Sequence, residues 1–482
     1  MKFSLLIPEL ILFFGALSIL MLDVFFNKKN QKFIYFAHFF SLAICGLALS
    51  FAVKSFGAPE IAFNNMLNSK AIISFTKCIT ISLLVVIILI SVRFVFLLEK
   101  YNSEFLALLM IATAGGLIMI SANDLLLFYL GLELQALSLY LLASFNVKSA
   151  KSSEAGIKYF ILGSLASGLL LFGISLIYGY SATTNFTALQ EFIGKLKPEE
   201  MPIGIVFGMV MVATAMFFKI SAAPFHMWAP DVYQGAPTIV LAFFGTVVKF
   251  SVVMSLIFLS LNISWVILSK ILLIVALTSI IVGSFGAIFQ KNLKRLFAFS
   301  SITHIGFVLL ALSPLDKSIF NSCIFYMIIY SIISLGTFSF LTIMRSPQEV
   351  ENDETDAKTF DISSLAGLAK THPLMAFSLA ILMFSTAGIP PLAGFFSKFY
   401  ILKSAITFGL LPYAIIAVIF SAISAFYYLR IVKIMYFDEP NGNLEIEDFG
   451  NARLIVFVSA LANIGLIFAI DPIMNSIANF LN

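Results

Sequence analysis

Glu133, Lys219, Lys249 and Lys398 each stand inside a long apolar stretch of the chain, and Lys158 stands several residues into another. A charged side chain at the centre of a bilayer costs about 2.5–3.5 kcal/mol on insertion scales. Five of them, each alone, cost about 12–17 kcal/mol, a load a chain carries only where the charges face a polar interior and act there. Lysine suits proton transfer. Burial disfavours an ammonium and a nearby carboxylate favours it, so a lysine with a movable carboxylate partner can load and release a proton near neutral pH. Glu133, in Gly131-Leu132-Glu133-Leu134-Gln135, is the one acid deep in its segment and the natural partner for Lys219 or for Lys158. The plainer alternative is a static ion pair that fixes helix packing.

Lys249 follows Thr246-Val247-Val248 at the middle of its segment and could bridge the groups before and after it. His304, in Ser300-Ser301-Ile302-Thr303-His304-Ile305-Gly306, is a second bridging candidate because imidazole titrates near neutrality. A packed hydrogen-bond donor is the competing reading of a lone histidine on an apolar helix. Ser300, Ser301 and Thr303 could anchor waters around it. His226 and Asp231 could gate proton access or cap a half-helix.

The elements that must hold these groups are membrane helices. Hydrophobic residues make up 60% of the 482 and charged residues 11%, against about 25% charged in a soluble domain. The reading is all-α and polytopic. Apolar runs bounded by polar clusters predict about fourteen helices, at 3–26, 32–53, 71–97, 104–121, 123–145, 153–179, 204–234, 237–259, 264–289, 293–313, 318–344, 373–408, 411–436 and 453–473. The seventh contains Pro224 and Pro230 and the twelfth contains Gly388-Ile389-Pro390-Pro391. Proline removes a helix donor and clashes with the turn before it, so each should split into two half-helices.

The two broken helices lie five apart, at matching places in blocks of helices 4–8 and 9–13. An odd number of spans per block inverts the second copy, and paired interrupted helices mark a midplane site in transporters. The chain thus divides into helices 1–3 (1–100), a first block (101–260), a second inverted block (261–437) and helix 14 (438–482) within one membrane domain. Basic loop residues alternate strongly, fifteen on one side and six on the other, which puts the richer side in the cytoplasm and both termini outside.

Arg93, Lys77, Lys270 and Lys403 lie nearer span ends and read as snorkelling cations. The stretch 346–372, with Glu349, Glu351, Asp353, Glu354 and Asp356, reads as a solvated loop, and 438–452 is similar. Gly204-x-x-x-Gly208 permits close helix approach, and Tyr and Trp near span ends read as interfacial anchors. Cys45, Cys78 and Cys323 have no ligand spacing and read as packing residues. No metal site, nucleotide loop or nucleic-acid-binding stripe is expected. The start, Met1 to Phe26, is too long an apolar run to be a signal peptide, and Pro8 and Glu9 interrupt it.

Four motifs together carry a family resemblance. Gly131-Leu-Glu-Leu-Gln-Ala-Leu-Ser-Leu-Tyr140 resembles helix 5 of the antiporter-like subunits of respiratory complex I. The run from Lys219 through Ala-Ala-Pro-Phe-His-Met-Trp-Ala-Pro-Asp to Thr238 resembles their broken helix 7, Lys294 to Gly306 their helix 10, and Ala387 to Lys398 their helix 12. Lys398 on helix 12, Lys249 on helix 8 and a chain that ends nine residues after helix 14 are similar to the subunit N type. Ile239 departs from it, since many relatives have proline there.

The resemblance implies a proton channel of a bacterial inner-membrane NADH:quinone oxidoreductase. In that scheme NADH, FMN, iron–sulfur clusters and quinone act in partner subunits, with none bound by this chain. Glu133 communicates with a neighbour, subunits M and K being the implied ones, and tunes Lys219. Lys158 and Lys249 relay the proton, and Lys398 exchanges it with the outside. A cation/proton antiporter subunit, or a membrane-bound hydrogenase subunit, is the alternative the same lysines allow.

Overall fold

The structure, a computed structural model, describes residues 3–25, 31–56, 60–98, 102–196, 201–262, 266–345, 359–440, 442, 444–446 and 450–481. Among them, twelve helices are long and apolar enough to cross a membrane. Chain order starts with α1 Ile7–Phe25, α2 Gln31–Lys54, α3 Ala71–Leu98, α4 Asn102–Ser121, α5 Leu125–Ala143 and α6 Ala150–Ser181. The seventh helix is in two pieces, α7a Ile203–Lys219 and α7b Trp228–Gly235. Then come α8 (238–262), α9 Val266–Ile288, α10 Leu293–Leu312 and α11 Phe320–Thr342. The twelfth is again split, into α12a Pro373–Ala387 and α12b Ala393–Thr407, before α13 Leu411–Phe437 and α14 Gly450–Leu481. Both expected breaks are therefore present. The fourteenth span is longer than the expected 453–473, because a short 3-10 turn at Leu466–Ala469 carries it on into Ile470–Leu481.

Side-chain caps set where the site helices begin. Asp124 accepts from the Leu126 and Leu127 amides at the start of α5, and Asn292 accepts from Lys294 and Arg295 at the start of α10, each satisfying amides that have no partner within the helix. Helices α8, α10 and α11 are almost wholly enclosed, whereas α1, α2, α6, α13 and α14 keep exposed apolar faces. The broken helices pack against this centre, α7b on α6 and α10, and α12b on α10 and α11. The helix-approach motif is used: a Cβ on Gly208 would come within 2.7 Å of the Gly173 carbonyl oxygen on α6.

Several smaller elements had no sequence signal. A short amphipathic helix, Phe186–Gly194, follows α6. It is stapled to the neighbouring loops by Asn185, whose Nδ2 donates to the Asn65 and Asn123 carbonyls at 2.8 and 3.1 Å. A small antiparallel hairpin joins Glu60–Ala62 to Leu67–Ser69, and a second, long-range antiparallel pair joins Met344–Arg345 to Glu445–Ile446. The acidic residues from Glu349 to Asp356 lie outside the described residues. The rest of that loop packs rather than floats: Phe360, Ile362, Leu365 and Leu368 are buried, and Leu293 donates to the Phe360 carbonyl at 2.8 Å.

Lys77 does not snorkel. Its ammonium lies 2.5 Å from Glu9 Oε1 on α1, and both side chains are no more than 5% exposed. Lys270 and Lys403 are exposed. Lys77 has less than two turns of α3 before it, but α1 and α2 enclose that turn and supply the carboxylate. Breaking a buried pair from one side leaves an uncompensated charge and costs on the order of 3–5 kcal/mol, whereas replacing both partners by apolar residues costs far less. Glu9→Leu is accordingly expected to lower the temperature at which the chain dissociates in detergent, and adding Lys77→Met to recover most of the loss. A double variant less stable than Glu9→Leu would refute this.

Candidate functional site

The two breaks are built alike. At the end of α7a the Ala222 amide bonds back to the Phe217 carbonyl and Ser221 to Phe218; at the end of α12a Ile389 bonds to Phe384 and Gly388 to Ser385. This is the same pair of long and short closing bonds that ends helices with a left-handed residue. That residue is Ser221 (φ 58°) in one and Gly388 (φ 87°) in the other. A non-glycine residue there costs about 1–2 kcal/mol, a strain carried in the middle of the membrane at Ser221. Each break is clasped by a neighbouring helix. Ser279 on α9 accepts from the Ala223 amide at 2.8 Å and Thr278 donates to the Ala223 carbonyl at 3.0 Å. At the other break Ser385 accepts from Gly394 at 3.1 Å and donates to Asn463 of α14 at 2.7 Å.

Lys219 is the last residue of α7a, half-buried, and its Nζ donates to the Tyr140 hydroxyl at 3.2 Å. Glu133 lies two turns before Tyr140 on the same face of α5. Its Oε1 is buried without a hydrogen-bond partner, and among the described residues neither Glu133 nor Lys219 closes an ion pair. The expected pair is therefore open, with Tyr140 holding the ammonium. Tyr140 packs edge-on to Tyr159 at 4.9 Å, and Tyr159 stacks on Trp228 at 4.5 Å. Trp228 donates to the Phe218 carbonyl at 2.9 Å, covering an end of α7a. These aromatic side chains, expected at the interface, are buried at the break.

Lys249 opens the last part of α8, directly after a π-helical turn at Phe244–Val248, a form found mostly at functional sites. Its buried Nζ donates to Ser301 at 2.8 Å. One turn on along α10, the His304 ring meets the Tyr326 hydroxyl at 2.5 Å through Nδ1 and the Tyr428 hydroxyl at 3.3 Å through Nε2. Tyr428 also meets Ser300 at 2.5 Å. Lys398, buried on α12b, donates to the Ala387 carbonyl at 2.9 Å and to Ser421 at 3.1 Å. Ser421 and Tyr428 lie two turns apart on one face of α13, so that helix serves both Lys398 and His304. Phe307 stands between, its ring 5.5 Å from the Lys398 ammonium.

Lys158 is placed elsewhere. Its ammonium lies 2.7 Å from Glu154 and 2.9 Å from Asp231, and 42% of its side chain is exposed. Its carboxylate partners are therefore these two and not Glu133. Asp231 caps nothing: it lies within α7b and also binds Arg295 at 2.7 Å. His226 is buried with Nδ1 unpartnered.

The structure thus gives Lys249, His304 and Lys398 each its own hydroxyl partners on α10, α11 and α13, sets Lys219 on Tyr140, and leaves Lys158 apart. Sequence reasoning passed over Tyr140, Tyr326, Tyr428 and Ser421. Only the pairing of polar residues with helical spacing on α13 could have pointed to the last two. Among the described residues no group of three or more His, Cys, Asp and Glu side chains could hold a metal ion.

A family model described as NADH:quinone oxidoreductase/Mrp antiporter, TM matches residues 122–424. The chain belongs to this family. The matched NADH:quinone oxidoreductase/Mrp antiporter region holds both breaks and every buried lysine of the site, so the resemblance carried by the four motifs extends to the whole arrangement. A relative named NADH-quinone oxidoreductase subunit N, from Paramagnetospirillum magneticum, is 39% identical over 479 residues, covering 98% of this chain and 95% of its own. A chain of respiratory complex I from Thermus thermophilus aligns with a TM-score of 0.81 at 25% identity, covering 97% of this chain and 98% of that one. A chain of the Mrp complex from Dietzia sp. DQ12-45-1b reaches the same TM-score at 17% identity, covering 100% and 97%, a likeness of fold alone.

Proposed function

We propose that protons cross this subunit along the buried line Glu133, Lys219, Lys249, His304 and Lys398, with hydroxyls between them. The chain is a multi-pass, proton-translocating membrane subunit of NADH:quinone oxidoreductase. The observation that carries the route is the pair of contact groups Lys249–Ser301 and Ser300–Tyr428–His304–Tyr326, whose side chains are all buried. Enclosed polar groups of this kind in a membrane mark ion and proton paths.

Counted as crossings, the two broken helices raise the twelve long ones to fourteen. With both termini outside, α12b points outward, so Lys398 is the group that exchanges with the outer side. The repeated geometry of the breaks supports two inverted blocks, helices 4–8 and 9–13. Glu133, with one carboxylate oxygen free of partners, is the group poised to answer a neighbouring subunit. Subunits M and K are the neighbours this reading assigns, in the inner membrane of a bacterium. Lys158 enters through its tie to Asp231 rather than as a member of the line.

Moving a proton against the membrane potential costs about 2.3 kcal/mol per 100 mV. Electron transfer from NADH to quinone in partner subunits supplies it. The antiporter alternative is less well supported, since the identity to the Mrp chain is 17% against 39% to a subunit N. The test is NADH-driven proton uptake by inverted membrane vesicles holding the complete complex. Lys219, Lys249 and Lys398 should each be required, and wild-type uptake without any one of them would overturn the route.

A further inference from the structure

We propose that Asp231 is a positioning residue for proton transfer, an ionic latch that ties α7b to α10 and α6 and couples the first break to the Lys249–Ser301 contact. Three observations carry it. The first is the contact itself. Asp231 Oδ1 accepts from Arg295 at 2.7 Å and Oδ2 accepts from Lys158 at 2.9 Å. Both are charge-assisted hydrogen bonds, of the stronger kind. The first joins the second half of a broken helix in one block to the first turn of α10 in the other, and the second ties it to α6 in its own block.

The second is what α10 carries. Arg295 sits less than two turns before Ser301, the hydroxyl that receives Lys249, and His304 follows one turn later. A rigid helix moved at Arg295 moves all three groups. The latch therefore reaches the centre of the line without touching it.

The third is register. Counted from the left-handed residue at each break, Ser221 or Gly388, the tenth residue on is Asp231 in one case and Lys398 in the other. The two take the same place on the two second half-helices. Lys398 turns back on its own break and donates to the Ala387 carbonyl. Asp231 turns away from its break, to helices on either side. One position thus serves as an exchange group in one block and as a tie in the other.

The tie can open without stranding a charge. Lys158 keeps Glu154 at 2.7 Å. Arg295 keeps Gln290 at 3.2 Å, and the Asp231 side chain is 39% exposed, so solvent can take its charge. Each cation has an acceptor to fall back on, so the two ends can part and rejoin as α7b shifts. An element tied in this way can take a closed and an open arrangement, which is what coupling between sites requires.

The inference rests on the proton route through Lys249, and the test keeps the two apart. The measurement is the rate of proton uptake per NADH oxidised, in inverted vesicles holding the complete complex, with assembled complex quantified on native gels. Asp231→Asn keeps the side chain's size and is expected to lower uptake per NADH roughly threefold or more. Arg295→Gln should do the same, and Asp231→Glu should restore most of the loss. A purely structural contact would instead lower the amount of complex and leave uptake per NADH unchanged. Normal uptake per NADH in Asp231→Asn or Arg295→Gln overturns the latch, and so does failure of both variants to assemble. Lys249→Ala, measured alongside, separates the failures: normal uptake there overturns the route, while lost uptake there with normal uptake in Asp231→Asn overturns the latch alone.

Discussion

Lys219→Ala is expected to abolish NADH-driven proton uptake, a loss on the order of 100-fold or more, while the complex remains assembled in the membrane. Assembly should survive because the lysine is a cost to insertion rather than a help. Removing a charge from mid-membrane relieves about 2.5–3.5 kcal/mol. Among the described residues its hydrogen bond is to the Tyr140 hydroxyl, and Tyr140 stays packed against Tyr159 without it. Transfer is another matter. Among the described residues Lys219 is the lysine that ends α7a at the first break, and it donates to Tyr140 beside the buried aromatic group around Trp228. Lys219→Arg sharpens the test. It keeps the positive charge, but a guanidinium does not release its proton in proteins. It is expected to fail as well, and uptake restored by arginine would show that a fixed charge suffices. The check is uptake by vesicles, with complex content measured in parallel.

Lys398→Ala is expected to stop uptake to a similar degree, for a different reason. Here the ammonium is fully engaged, between the Ala387 carbonyl and Ser421. That carbonyl ends α12a, so Lys398 holds the break and, on the proposed route, is the group assigned to the outer end. Its loss leaves His304 without an exchange partner beyond Phe307. Ser421→Ala removes one of its two hydrogen bonds and leaves the carbonyl contact, so a partial loss is expected there. Equal loss in Ser421→Ala and Lys398→Ala would place the function in the hydroxyl. Unchanged uptake in Lys398→Ala, with complex present at wild-type level, would remove this residue from the route.

The fold and the titratable groups were legible for one physical reason. Lipid demands long apolar helices, so their ends, the Pro224 and Pro391 interruptions and the few charges stand out against a uniform background. What was not legible depends on which helices meet. Lys77 looked like a snorkelling cation until α1 brought Glu9 against it. Lys158 looked like a partner for Glu133, but Asp231, 73 residues away in sequence, reaches it through the turn of α7b. The hydroxyls carry no periodic signal of their own. Tyr326 and Tyr428 become part of the site only because α11 and α13 close on either side of His304. Ser301 could be suspected from its neighbours, yet its role as the acceptor for Lys249 follows from α8 and α10 lying side by side.

The central claim is that these buried groups form one proton path rather than separate packing contacts. Its most direct test is the position of ordered water in an experimental structure of the assembled complex. The account predicts hydrogen-bonded water bridging from the Lys219–Tyr140 contact to Lys249, and from His304 past Phe307 to Lys398. Both gaps filled by apolar side chains and dry, in resting and turning-over complex alike, would contradict it.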